Sequence, residues 1–210
     1  MELADFFGEY ETLVKRANIL FQKLATDYPS CVKCHVHCCD CCYAPFGLFI
    51  VEAAYINFYF NRLERRQKRE IFRRMEKTEA HILKAKDRLH VFDDDPKMKV
   101  FGLGKQRIRC PFLNDKDECD FYEKRPIICR LYGIPLSLKE KVYVCGFSGF
   151  QKGVTYPTVK LDKIYSQLCN LSERLLNWAG SAHPERCSLM LFVPRALKLP
   201  FNSLIKGILE

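Results

Sequence analysis

Apolar side chains recur at helical spacing in three long stretches of the chain. From about Asp5 to Ala25, the positions Phe6, Tyr10, Leu13, Val14, Ala17, Leu20, Phe21 and Leu24 follow a helical period. Pro29, following Asp27 and Tyr28, predicts the end of that helix, because the residue before a proline disfavours the helical backbone. From Arg66 to His90, Ile71, Met75, Thr78, Ile82, Ala85 and Leu89 alternate steps of four and three and draw one stripe. The run Asp93-Asp94-Asp95-Pro96 predicts a break after it. From about Leu161 to Trp178, Ile164, Leu168, Leu171, Leu175 and Trp178 again share a side. A shorter helix is predicted from near Ile50 through Glu52-Ala53-Ala54-Tyr55-Ile56. Between Val100 and Phe150 the period gives way to Gly, Pro and short apolar runs, with Val142-Tyr143-Val144 reading as a short strand. The stretch from Ser188 to Leu209 carries no assignable pattern.

These elements predict a mainly α fold with a small irregular α+β, cysteine-rich core. We expect a single domain over residues 1–210, with the core at about 31–150 and a helical extension at 151–210. A hydrophobic content of 48%, with 16 Phe and 10 Tyr, is enough for a true core, so no metal is needed merely to rescue a tiny fold. The most apolar stretch, Tyr43 to Phe60, is interrupted by Pro45, Gly47, Glu52 and Asn57, which favours core over a membrane span. The acidic start, Met1 to Asp5, lacks the basic-then-apolar pattern of a secretory signal, so a cytoplasmic location without membrane contact is expected.

The net charge of +9 is uneven. Residues 61–90 hold eleven Lys or Arg against five acidic side chains. Mixed Arg, Lys and Glu at helical spacing is the composition of a solvated face, so nucleic acid is not an expected partner. No protein partner can be read from the sequence.

The 12 cysteines change the picture most. In a reducing cytosol such density points to metal or catalysis rather than disulfides. Cys31, Cys34, Cys38, Cys39, Cys41 and Cys42 fall within twelve residues. Were this segment helical, an advance of about 100° per residue would gather Cys34, Cys38, Cys41 and Cys42 in one arc, Cys31 with them, and turn Cys39 away. A loop would gather other members. Cys110, Cys119, Cys129 and Cys145 form a second, dispersed group that only the fold can assemble. Two groups of four suit two four-coordinate sites, one bridged site, or one cluster with spare thiols. Arg109, Arg125 and Arg130 lie near cysteines in sequence and are candidates to offset thiolate charge. His35 and His37 are alternative ligands. Cys169 and Cys187, isolated in sequence, read as small buried hydrophobes.

The same residues resemble the YkgJ-type cysteine-cluster family, described as zinc- or iron-chelating proteins. Cys34, Cys38, Cys41 and Cys42 match its first motif, and Cys110-Pro111-Phe112-Leu113 its second. The third is matched by Cys119 followed by Tyr122-Glu123-Lys124-Arg125-Pro126 and Cys129-Arg130. The resemblance spans about Cys31 to Cys145 and implies metal chelation. The extra Cys31 and Cys39 leave a second register open, Cys31, Cys34, Cys38 and Cys39. Flagellin lysine methylases share the cysteine pattern. The CxxxCxxC spacing of Cys34, Cys38 and Cys41 is also similar to that of radical SAM enzymes, but Asp40 stands where those usually carry an aromatic residue.

The expected function is therefore that of a metal-binding cysteine-cluster protein with an iron–sulfur cluster and a redox or metal-assisted enzymatic role. The alternative is a non-enzymatic zinc module serving as an interaction platform. The expected ligands are Cys34, Cys38, Cys41, Cys42, Cys110, Cys119, Cys129 and Cys145. No catalytic residue stands out.

Overall fold

The computed structural model describes residues 2–35, 37–88 and 106–209. The first helix, α1 (Leu3–Asp27), starts where the Asp5 carboxylate accepts the Glu2 N–H at 2.7 Å. Its buried face is Phe6, Phe7, Tyr10, Ala17 and Leu24, whereas Leu20 is exposed. Helix α2 (Ile50–Phe60) is apolar nearly all round and lies at the centre of the molecule. Three polar side chains tie down this buried helix. Ser172 accepts the Val51 N–H at 3.1 Å, and Asn57 donates to the carbonyls of Ala196 and Leu199 at 2.8 and 2.9 Å. Glu52 forms the third tie, described below.

Helix α3 (Arg65–Arg88) buries the predicted stripe through Ala85. Leu89, the helix as far as His90, the acidic break at 93–96 and Val100 lie outside the described residues. A short helix, α4 (Ile127–Leu131), follows Pro126. Then come β1 (Leu136–Leu138), β2 (Lys141–Tyr143) and β3 (Val159–Lys160). They form one small sheet in the order β2-β1-β3, with β1 antiparallel to β2 and parallel to β3. The predicted strand is thus real but starts one residue earlier. The tight turn between β1 and β2 places Lys139 and Glu140 at φ of 49° and 66°.

Helix α5 (Leu161–Trp178) has the predicted bounds and packs against α1 and α2. Trp178 is exposed on one side while its ring meets Phe6 at 5.6 Å between centroids. The unassigned tail contains a 3-10 turn at Pro184–Ser188 and two short helices, α6 (Val193–Lys198) and α7 (Phe201–Ile205), both packed on α2. The fold is mainly α with a small β element beside a cysteine-rich region. Among the described residues no helix is long and apolar enough to cross a membrane.

Candidate metal centre

The cysteine-dense segment is not a helix. Among its described residues only Asp40–Tyr43 forms a 3-10 turn, and His37 sits at φ 69°, a left-handed conformation that a right-handed helix cannot contain. The helical projection therefore does not apply, and the chain brings its thiols together by folding over itself. Two backbone hydrogen bonds, Ile108 N–H to Tyr43 O at 3.0 Å and Cys110 N–H to Cys42 O at 2.7 Å, lay the second motif beside the first. Beyond Cys110 the chain reverses. Asp120 N–H reaches Phe112 O at 2.8 Å, and the rings of Phe112 and Phe121 stack at 4.6 Å, which delivers Cys119 to the same place. Helix α4 then presents Cys129.

The result is a cavity of about 350 Å³. Cys38, Cys39, Cys41, Cys42, Cys110, Cys119 and Cys129 line it, with His35 and His37 on its exposed rim. Cys34 and Cys145 do not line it but stand close by: each senses the charge of Cys38, and Cys34 that of Cys145 and Cys41 as well. The eight expected ligands thus fall into an inner set of Cys42, Cys110, Cys119 and Cys129 and an outer set of Cys34, Cys38 and Cys145. Cys41 stands between them, sensed by Cys34 and by all four inner thiols. Cys31 lies away from the cavity, whereas Cys39 is on its wall.

Burial dominates the chemistry of three of the inner thiols. It pushes Cys110 up to about 12 and Cys119 up to about 11, and raises Cys129. Cys41 moves the other way, to about 7, because the Cys42 thiol donates a hydrogen bond to it; Cys42 is raised correspondingly. A bound cation would displace these protons, since thiolate is the ligating form. Among the described residues no three His, Cys, Asp or Glu side chains are already placed to hold a single ion. The donor set nevertheless fits a soft or borderline metal, being almost wholly sulfur.

The three candidate arginines separate by role. Arg125 lines the cavity, stacks on Tyr122 at 4.0 Å, and is the nearby cation that favours the thiolates of Cys34, Cys41, Cys119 and Cys129. Its buried Nε has no hydrogen-bond partner among the described residues. Arg109 instead donates to Asn114 O at 2.6 Å, and Arg130 to Glu123 O and Arg125 O at 2.6 and 3.0 Å, so both brace loops.

Several supports have no local signal in the sequence. Arg74, on the basic helix, donates to Pro111 O at 2.8 Å and pairs with Asp120, while Thr78 donates to Arg109 O at 2.8 Å. Glu52, buried, accepts the Ile127 N–H at 3.1 Å, the Tyr10 hydroxyl at 3.3 Å and its own helix start at Phe49 N–H at 3.3 Å. It thereby fixes the start of the helix bearing Cys129. Asp40, also buried, is held by Arg107 at 2.7 Å and accepts from Tyr132 at 3.1 Å and Cys145 at 3.4 Å. Burial raises its pKa, but these three hydrogen bonds outweigh it and leave the carboxyl below its ordinary range. At Gly133 a Cβ would stand 2.1 Å from the Cys34 sulfur, so only glycine admits that thiol.

The family model of the CxxCxxCC putative zinc- or iron-chelating domain matches residues 30–146, more than half of the chain. No curated protein and no solved structure matches it. The chain belongs to that family, as its three motifs indicate, and is a metal-binding cysteine-cluster protein.

Proposed function

We propose that this member of the zinc- or iron-chelating family holds an iron–sulfur cluster in the thiol-lined cavity and serves a redox or metal-assisted role there. The observation that carries this reading is the size of a space walled by sulfur. A lone zinc draws four sulfurs to about 2.3 Å and leaves no void between them. About 350 Å³ ringed by seven thiols has room for a polynuclear centre with bridging sulfide. Cys42, Cys110, Cys119 and Cys129 would hold it, with Cys41 at the boundary. Arg125 would offset the thiolate charge, its unpaired Nε–H being available to a sulfur acceptor.

A second reading is favoured by the division of thiols. Cys34, Cys38, Cys41 and Cys145 on one side and the inner four on the other make two sets of four, which suits two closed zinc sites in a non-catalytic module. Such a module would display less of the basic helix than its charge implies, because Arg74 is already engaged by Pro111 and Asp120. Elemental and sulfide analysis with absorption spectroscopy, on protein purified without oxygen, separates the two. Iron and acid-labile sulfide in comparable amounts, with visible absorption, is the expected result. Colourless protein with stoichiometric zinc and no sulfide would replace the first reading by the second.

A further inference from the structure

Cys169 and Cys187, far apart in sequence and expected to be inert core residues, meet in the fold. Cys169 lies on α5 and Cys187 in the 3-10 turn at Pro184–Ser188, and their sulfurs are 2.9 Å apart. Neither lines the metal cavity. They pack with Ile50, Leu176, Leu191 and Leu209 in a small apolar cluster that adjoins the main core. Two thiols this close are in S–H···S contact, and joining them asks the sulfurs to close from 2.9 Å to a bond length of about 2.05 Å.

We infer that Cys169 and Cys187 form a reversible disulfide, a redox-responsive staple between α5 and the segment that leads back to the metal core. The oxidant is a low-molecular-weight disulfide such as oxidised glutathione. Cys169, the more exposed of the two, attacks one glutathione sulfur and releases the other half as glutathione thiolate. Cys187 then gives up its proton and attacks the Cys169 sulfur, releasing the second glutathione. Two protein thiols become one disulfide, and one oxidised glutathione becomes two reduced ones. Burial, together with the hydrogen bond to Cys169, keeps the Cys187 proton in place until that second step. This order follows from which sulfur the oxidant can reach.

The staple bears on the metal core through a short path. Four residues beyond Cys187, Leu191 exchanges two backbone hydrogen bonds with Leu48, at 2.8 and 2.9 Å. Leu48 follows the Cys41–Cys42 turn closely, and Val193 lines the cavity itself. Fixing Cys187 therefore restrains a segment packed against the thiol-bearing chain.

The test uses the full metal-loaded protein, equilibrated anaerobically in glutathione buffers of rising oxidised fraction, alkylated and digested with trypsin without reduction. The expected product is one linked pair, peptide 164–174 with peptide 187–195, that disappears on reduction, while bound metal is unchanged. Oxidised protein should melt several degrees above reduced protein, and the Cys169→Ser and Cys187→Ser variants should show the same melting temperature in both buffers. Recovery of both peptides separately alkylated from folded, oxidised protein would overturn the inference. So would linkage of either cysteine to a cavity thiol, or a linked pair that appears only after the metal has been lost. A linked pair without any change in melting temperature would overturn its role as a staple.

Discussion

The inner and outer thiols of the cysteine region are built on different principles. Cys42, Cys110, Cys119 and Cys129 are each delivered by backbone pairing or by a helix that other elements hold: Cys110 by the bond to Cys42, Cys119 by the Phe112 turn, Cys129 by Glu52. Two of the outer thiols depend on side chains and a missing side chain. Cys145 rests on Asp40, which itself needs Arg107 and Tyr132, and Cys34 needs the open space at Gly133. Backbone-built geometry resists perturbation, whereas a side-chain network fails when one member is changed. The inner set should therefore be the tighter site and the outer set the adjustable one.

The largest effect should come from an inner ligand. Cys129→Ser is expected to empty the centre and remove on the order of 4–5 kcal/mol of metal-dependent stability, the scale of a lost structural metal. Metal analysis and chemical denaturation would show it, and retention of full metal content would dissolve the inner–outer distinction. Next comes the carboxyl that positions Cys129. Burial raises Glu52 to about 7, against the hydrogen bonds from Ile127, Phe49 and Tyr10 that favour its ionised form. Because its pKa is higher in the folded than in the unfolded chain, its stabilising contribution is complete below about 4.5 and is lost as pH rises through about 7. The stability difference between wild type and Glu52→Gln should accordingly shift by about 3 kcal/mol between those limits. A difference that stays flat from pH 5 to pH 8 would count against it.

Arg74→Ala should cost about 2 kcal/mol, since it strips a charged donor from Pro111 O and from Asp120. Arg66→Ala, on an exposed pair with Glu70, should cost a few tenths at most. Equal losses would mean that the second motif is not braced by α3. The same helix is expected to show no salt-dependent binding of nucleic acid in an anisotropy titration. Gly133→Ala tests the outer set alone. It should cost about 1 kcal/mol and shift Cys34 while leaving inner metal in place. Smallest of all, Cys39→Ser should change metal content and melting temperature little, even though the thiol lies on the cavity wall. Loss of metal in that variant, with metal retained by Cys42→Ser, would move the ligand register to Cys31, Cys34, Cys38 and Cys39.

Much of the architecture was legible because helices write their period into the chain. The stripe from Ile71 to Ala85 and the face from Leu161 to Leu175 needed no tertiary information. The second and third motifs were legible because each is contiguous. What was not legible depends on juxtaposition. The companionship of Cys34 with Cys145, the support of Cys145 by Asp40, and the meeting of Cys169 with Cys187 all join residues with no local signal. Arg74 shows the same limit from the other side, since its neighbours in sequence are solvated and nothing local marks it as the brace of the Cys110 loop. The helical projection of the first cysteine segment failed because the described chain before Asp40 is turn and irregular backbone, with His37 in a left-handed conformation that no periodicity argument anticipates.

The hydrogen bond from Cys110 N–H to Cys42 O also bears on how the protein comes into being. It closes a long stretch of intervening chain, including all of α3, and loop closure of that length is entropically costly and kinetically slow. Helices α1, α2 and α5 share an aromatic and aliphatic core that does not depend on thiolate ligation. Metal ligation by Cys42 and Cys110 would help offset that closure cost. Stripping the metal should accordingly loosen the thiol-bearing loops while hydrogen-exchange protection persists in α1, α2 and α5.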